Sequence, residues 1–426
     1  MKATVLGPIA ALVIGGAAGF LAGKNTTPAP ESDSDVPADA RSVRRGAGSS
    51  SGSASSSSRG ARVKSASEAM ALPGQNNRLQ ALMDYYAGLD VSLRSCALCI
   101  VDAKGAVLLE RELPCEVSDI AVCLASFPHP IERVGFEAGT MSQHLFHGLK
   151  AEGFDVVCME ARQVNAALSA MRNKTDRTDA RGIAQVLRTG WFSPVHMKSR
   201  EAHGVRALLS TRKALLKKTM DLANEVRGLL KIFGIRLPMT VKHGSFDGVV
   251  RPLIEMDDVL AHALVPLLDA RVVLYQHFLE LDRRVKRAAS HDEICLRMMT
   301  VPGVGPIASL TFKAAVDDPT RFKRSRTVGA HFGLTPRRYQ SGEHDNPGRI
   351  SKAGDRDVRA TLYAAANALL MRTMAGSQIK SWGMRLIRTK GRRRAVVAVA
   401  RKLAVLLHRM WIDGTEFRQD QVGGTA

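Results

Sequence analysis

Three short runs rich in apolar and β-favouring residues, 85–91, 96–101 and 106–112, open the folded part of the chain, with the polar turn Asp102-Ala103-Lys104-Gly105 between the last two. Short β-rich runs joined by tight turns predict three strands in an antiparallel meander. The pattern then changes to that of a helix at 117–127, returns to a strand at 133–136, and repeats as a helix at 141–152 and a buried strand at 154–159. From 201 to 290 Leu208, Leu215, Leu222 and Leu229, then Leu260, Leu264, Phe278 and Val285, recur at helical spacing. Two long helices broken near 233–248 are expected to pair as an antiparallel arm; heptads do not say whether it is a linker or a dimerisation arm. A compact helical region follows from Cys295 to about Met374, then a basic helical tail.

A meander followed by alternating helices and strands is the element order of an α/β RNase H-like (RuvC-like) domain. The chain accordingly divides into residues 1–80, an apolar segment and Ser-rich linker; 81–195, the RNase H-like domain; 196–292, a helical coiled-coil arm; 293–375, a mainly α domain with a helix-hairpin-helix-like turn; and 376–426, the basic tail. Residues 3–23 carry no charge and lie between Lys2 and Lys24, a length that suits a membrane span or export signal, although Pro8 and the glycines make a poor helix. The Ser-rich run at 49–58 cannot bury enough apolar surface to fold. The front end is expected to be a dispensable extension, with Met70 or Met83 as the natural start and a cytoplasmic, nucleoid-associated protein behind it.

Charge narrows the partner. Lys and Arg outnumber Asp and Glu by 61 to 40, a formal +21, which calls for a polyanion. The cations lie along whole domains rather than beside one apolar segment, so nucleic acid fits better than a membrane surface, and no small-molecule substrate is expected. The six cysteines sit mostly in apolar runs and read as core residues of a reduced protein, the Cys96/Cys99 pair included.

Four acids stand out. Asp90 falls mid-strand in Gly88-Leu89-Asp90-Val91, where a charge is expensive unless something binds it. Glu137 ends the later strand, and Asp176 and Asp179, three apart, share one helix face. Two strands and a helix can bring such carboxylates to a pair of hard cations, which would activate one oxygen and stabilise another on phosphorus.

Two further segments carry chemistry. In Val301-Pro302-Gly303-Val304-Gly305-Pro306, Gly303 and Gly305 have the spacing of a helix-hairpin-helix turn that lets backbone N–H groups approach a phosphate. The segment from Gly333 to Asp355 reads as a polar, Gly-rich loop, combining the hydroxyl of Ser341 beside Gly342 with Arg337, Arg338, Arg349 and Lys352, cations suited to a scissile phosphate.

These blocks resemble the DEDD transposases of the Piv/MooV type found in insertion sequences, which are related to pilin-gene invertases and RuvC-like resolvases. Asp90, Glu137, Asp176 and Asp179 match the DEDD motif, with Lys-Thr-Asp-Arg-Thr-Asp-Ala-Arg at 174–181 its most specific part. Pro336, Ser341, Gly342, Gly348, Lys352 and Gly354 match the second conserved region of that family. The resemblance implies a transposase or site-specific recombinase that needs Mg²⁺ or Mn²⁺ and uses Ser341 as a nucleophile linked covalently to DNA, with Ser351 in reserve. It also implies a structured noncoding guide RNA that pairs with donor and target DNA. Concerted strand exchange favours a homodimer or tetramer. A metal-dependent structure-specific endonuclease and a non-catalytic nucleic-acid-binding protein remain as alternatives.

Overall fold

The computed structural model describes residues 84–169, 175–341, 344–374 and 376–418. The apolar segment, the Ser-rich linker, Met70, Met83, Lys174 and Gly342 lie outside the described residues. Five strands form a mixed sheet in the order β3-β2-β1-β4-β5: β1 (Tyr85–Val91), β2 (Ser95–Val101), β3 (Val107–Pro114), β4 (Ile131–Glu137) and β5 (Val156–Met159). The first three pair antiparallel, whereas β4 runs parallel to β1 and β5 parallel to β4. A meander whose first strand takes parallel neighbours through helical crossovers is the RNase H-like topology predicted from the residue pattern.

The two crossover helices, α1 (Val117–Ala125) and α2 (Ser142–Ala151), cover one face of the sheet, packing on Tyr85, Ala87, Leu89, Val134 and Phe136. After α3 (Ala161–Leu168), helix α4 (Asp176–Thr189) crosses the other face. Side chains alternate along a strand, so Gly88 and Gly135 lie under α4. A Cβ on Gly88 would stand 2.3 Å from the Ala184 nitrogen and 2.5 Å from the Ala180 oxygen, and one on Gly135 would stand 2.8 Å from Leu187. The helix lies on the strands at a separation only glycine permits.

The same alternation disposes of the CxxC pair. Cys96 packs into the α1/α2 side of the sheet and Cys99 against Ala180 and Ala184 on the other, so the two thiols cannot share an ion. All six cysteines are free and buried, and burial pushes Cys96 and Cys295 up to about 12 and Cys99 and Cys158 up to about 11. They serve as packing groups.

Helices α5 (Arg200–Ile232) and α7 (Asp258–Ser290) pair as an arm roughly 50 Å long at about 1.5 Å per residue. The stretch expected as a simple break contains helix α6 (Phe246–Ile254), whose Phe246, Val250 and Ile254 close a core with Val226, Leu230, Leu264 and Leu268. Arg271 is fully buried there, stacked 4.5 Å from the Phe246 ring, paired with Asp247 and donating to the His243 carbonyl at 2.7 Å. At the other end, Val205, Leu208 and Leu209 of α5 and Val285 and Ala289 of α7 pack on Leu310.

Leu310 belongs to the last region, built from α8 (Glu293–Met299), α9 (Pro306–Val316), α10 (Val328–His331), α11 (Arg356–Met371), α12 (Gln378–Lys390) and α13 (Arg392–Asp413). Two expectations fail here. The segment read as a loop contains a two-stranded ribbon, β6 (Pro336–Ser341) against β7 (His344–Ile350). The described part of the segment drawn as a basic tail, 376–418, is no separate appendage, because Val396, Val399, Ala400, Leu403, Ala404 and Leu407 of α13 are buried in one core with Phe312, Phe332, Leu362 and Leu369. Dense Arg and Lys on the exposed side of α13 disguised an apolar stripe at helical spacing.

Glycine substitutions test the packing. Gly88→Ala should destabilise the chain by about 1–3 kcal/mol or more, since Cβ meets backbone that cannot swing aside. Gly228→Ala, in an exposed turn of α5 with open space around it, should stabilise by roughly 0.5–1 kcal/mol. Chemical denaturation of both variants checks the opposite signs.

Candidate active site

Strand parity brings the four acids to one edge. Asp90 lies two residues beyond Gly88, on the α4 side of β1, and Glu137 lies two beyond Gly135 on the same side of β4. Leu89 pairs with Phe136, so Asp90 and Glu137 are the next positions along adjacent parallel strands. Helix α4 runs antiparallel to β1: its C-terminal Gln185 and Arg188 donate to the carbonyls of Gly105 and Ala103 at 2.7 and 3.0 Å, while Ala180 and Ala184 lie over Gly88. Its N-terminal turn, with Asp176 and Asp179, therefore lies toward the strand ends that carry Asp90 and Glu137.

Local chemistry fixes that turn. Thr175 caps α4 reciprocally with Thr178, each side chain accepting from the other's backbone N–H at 3.2 and 2.8 Å. Acids in a first turn are favoured by the helix dipole. Arg181 holds the next turn to β3 through Glu110 at 2.8 Å. Asp90, Glu137 and Asp179 are half-buried and Asp176 is exposed. Asn165 of α3 donates to Glu137 Oε1 at 3.2 Å, a partner the sequence did not reveal. Among the described residues no three His, Cys, Asp or Glu side chains are gathered closely enough to hold a metal ion; Asp90 and Glu137 share a sheet face, and Asp176 and Asp179 lie in the first turn of the helix that crosses it.

The other candidates lie in the C-terminal region. Ser341 ends β6 opposite His344, the last pair of the ribbon; at 338–341 and 344–347, Arg338 included, the backbone alone is described. Arg337 donates to the Ser351 carbonyl at 3.3 Å, and Arg349 and Lys352 are exposed. The ribbon's root is tightly closed, since a Cβ on Gly333 would meet the Ala353 nitrogen at 2.3 Å and one on Gly354 the His331 oxygen at 2.2 Å. The ribbon and the five-stranded sheet share no strand.

In the turn expected to approach a phosphate, the tight position is Gly303. It has φ +89°, and a Cβ there would stand 2.6 Å from the Ala365 oxygen and 2.7 Å from the Leu369 nitrogen, so its missing side chain makes room for α11. Gly305, which caps α9, has open space around it.

With this geometry in place, comparison with known proteins is direct. Residues 87–235 match a DEDD-type model described as a transposase, and residues 295–381 match one described as transposase IS116/IS110/IS902 family. The transposase for insertion sequence element IS1111A of Coxiella burnetii is 31% identical over 330 residues, covering 75% of this chain and 87% of that protein. The chain belongs to the IS116/IS110/IS902 family of transposases. The transposase for insertion sequence element IS1328 of Yersinia enterocolitica is 27% identical over 246 residues, 58% of this chain and 74% of its own. A Thermus thermophilus RuvC structure aligns over 26% of this chain and 99% of its own at 16% identity, with a TM-score of 0.22. The transposase is thus an insertion-sequence enzyme that cleaves and transfers DNA strands. Among its described residues no helix is long and apolar enough to cross a membrane.

The transposase also contains a joint that sequence reasoning missed. Asp317, at the C-terminus of α9, adopts φ +64°, a left-handed conformation that strains a residue with a Cβ. It is held there by His196 Nε2 at 2.8 Å, the Ser199 N–H at 2.9 Å and Ser199 Oγ at 2.6 Å. Ser199 in turn caps α5, accepting from the Ala202 N–H. A second clasp lies nearby, where Arg206 pairs at 2.6 Å with Asp355, the cap of α11, and Lys213 pairs with Asp357. Only the φ of Asp317 and its distant partners betray this role, and neither leaves a motif.

The joint is acid-sensitive. Burial pushes the Asp317 carboxyl up, but the Ser199 and His196 hydrogen bonds outweigh it and hold the group below the ordinary range; at Asp355, Arg206 and the α11 N–H groups do the same. A carboxylate depressed in the folded state contributes its stability above its unfolded value, near 3.9, and loses it as pH falls through the folded value. Stability of the transposase should therefore drop below about pH 4. Asp317→Asn should lower stability at pH 7 by about 1–3 kcal/mol and flatten that acid limb. Thermal melts across pH check both.

Proposed function

We propose that the transposase cuts and rejoins DNA through a covalent link between Ser341 and a backbone phosphate, with divalent cations held by Asp90, Glu137, Asp176 and Asp179. The observation that supports this reading is that Asp90 and Glu137 are neighbouring positions on the α4 side of adjacent parallel strands, with Asp176 and Asp179 in the first turn of α4. Carboxylate oxygens are the donors that Mg²⁺ and Mn²⁺ prefer, so the residue set fits such ions. Bound there, they would supply positive charge to the oxygens of a phosphate undergoing displacement.

In the first half of the reaction Ser341 Oγ loses its proton and forms a bond to phosphorus as the bond to the departing DNA oxygen breaks. Rejoining is the reverse displacement by a DNA hydroxyl. The phosphodiester energy is kept in the serine link, so no nucleotide cofactor is consumed. Arg337, Arg349, Lys352 and Arg338 supply the cations of the Ser341 segment for the phosphate charge, and the open Gly305 turn is a backbone contact point. Ser351, whose Oγ accepts from the Ala353 N–H at 3.4 Å, is the weaker nucleophile candidate. Donor and target are selected through a structured noncoding RNA, a step supported by the resemblance to DEDD transposases and by the +21 charge.

A dimer or tetramer is the working assembly. Ile232, Phe233, Met239 and Met256, at the far end of the arm, are exposed apolar residues that a second copy would cover. Mixing Asp90→Ala with Ser341→Ala protein should restore cleavage if the arm passes one region to its partner; inactivity of verified mixed oligomers would place both halves of the site in one chain.

The covalent step is tested by trapping a protein-DNA adduct. Ser341→Ala should abolish the adduct and rejoining; cleavage that persists without an adduct would mean a water-using nuclease. Asp176→Ala and Asp179→Ala should each change stability by no more than about 1 kcal/mol while removing Mg²⁺-dependent cleavage. Full recombination in both variants would refute the metal site.

A further inference from the structure

A long cavity of about 1950 Å³ lies between the β6–β7 ribbon and α13, larger than the roughly 300–1,000 Å³ of a small-molecule site. Arg349 and Lys352 line it from the ribbon side, and Arg393, Arg394, Arg401 and Arg409 from α13. Among its described lining residues the acids are Asp413 and Glu416, and Asp413 is already paired with Arg409 at 3.1 Å. The interior is apolar, with Leu334, Val397, Val405 and Leu406 beside Trp382, whose ring carries the Lys402 ammonium 4.6 Å away.

We infer that this groove carries a single strand of DNA toward Ser341, an inference that rests on the serine reading above. A cationic rim alone would suit any nucleic acid. The apolar interior narrows the choice, because duplex DNA hides its base faces in the stack and would set sugar and phosphate against leucine and valine. An unpaired strand can lay its bases on the apolar surface and its phosphates on the rim. The ribbon supplies direction: Pro336 and Ile350, paired at its root, line the groove, and Ser341 and His344 close its far end. At about 3.3 Å per residue the two ends are roughly 17 Å apart, a few nucleotides of extended strand. DNA is the occupant because the ribbon whose root lines the groove ends at the serine that takes a DNA phosphate.

The test uses the full chain in the Ser341→Ala background, so that binding is read without covalent trapping. Arg393→Glu with Arg394→Glu changes two exposed cations in the first turn of α13, where acidic side chains suit the helix dipole and folding should survive, as circular dichroism will verify. Affinity for a labelled oligodeoxythymidylate of about 12 nucleotides, within the span of known single-strand sites, should fall about tenfold or more, with duplex affinity falling less than about threefold. Unchanged single-strand binding, or an equal loss for duplex, would overturn the proposal. Tighter binding of an oligouridylate, lost in the same variant, would assign the groove to RNA and overturn it too. The adduct assay on the otherwise wild-type chain is independent: no adduct with groove binding intact removes the serine reading, and an adduct with groove binding unaffected by the reversals removes the groove.

Discussion

Helix α4 can lie on the sheet only because Gly88 and Gly135 have no side chains. The Ala180 and Ala184 backbone rests where a Cβ of β1 would otherwise be, and Leu187 occupies the corresponding space on β4. That contact fixes three things at once: the distance between helix and sheet, the direction of α4, and the edge at which its acidic first turn emerges. Asp90 and Glu137 follow the two glycines by two residues in each strand, so strand parity puts them on the face that α4 covers. The Arg181–Glu110 pair and the Thr175–Thr178 cap then stop the helix from rotating or fraying. The direction in which the acidic first turn of α4 points depends on this close seat.

The C-terminal region solves a different problem, that of holding a two-stranded ribbon, which is marginal on its own. Its root is embedded between α10 and α11, with Gly333 against Ala353 and Gly354 against His331. Arg359 adds donations to the carbonyls of Ala353, Gly354 and Phe332. Helix α13 gives the region its central core element and turns its cationic side to the groove. One helix thus carries a cationic side and a buried hydrophobic stripe, which is why charge density alone was a poor guide to where α13 lies.

Between the two regions the chain invests local strain. Asp317 is held in a left-handed conformation by groups from 196–199, the segment that leads out of the sheet and into the arm. Arg206 and Lys213 on the first turns of α5 clasp the start of α11. The arm therefore leaves from a braced root, with its own core at the far end organised around buried Arg271.

Much of this was written in the sequence. Short β-rich runs bounded by turns marked the strands of the sheet, and a period of 3.6 residues marked its crossover helices and both long helices of the arm, because each signal is local to one element. The elements that carry the four acids were legible too, since a charge within or at the end of a buried strand and a pair spaced by three on a helix are anomalies within a few residues, although Asp90 is next to last in β1 and not at its centre. Tertiary structure alone decided the rest. The ribbon at 336–350 looked like a loop because its short strands lack clear alternation, the packing of Gly303 was hidden because its neighbours, Ala365 and Leu369, are some sixty residues away, and α13 looked like a tail. The Asp317 joint and the basic groove each draw residues from segments far apart in the chain. Sequence periodicity reports what one element needs to bury; it carries no record of which distant element will bury it.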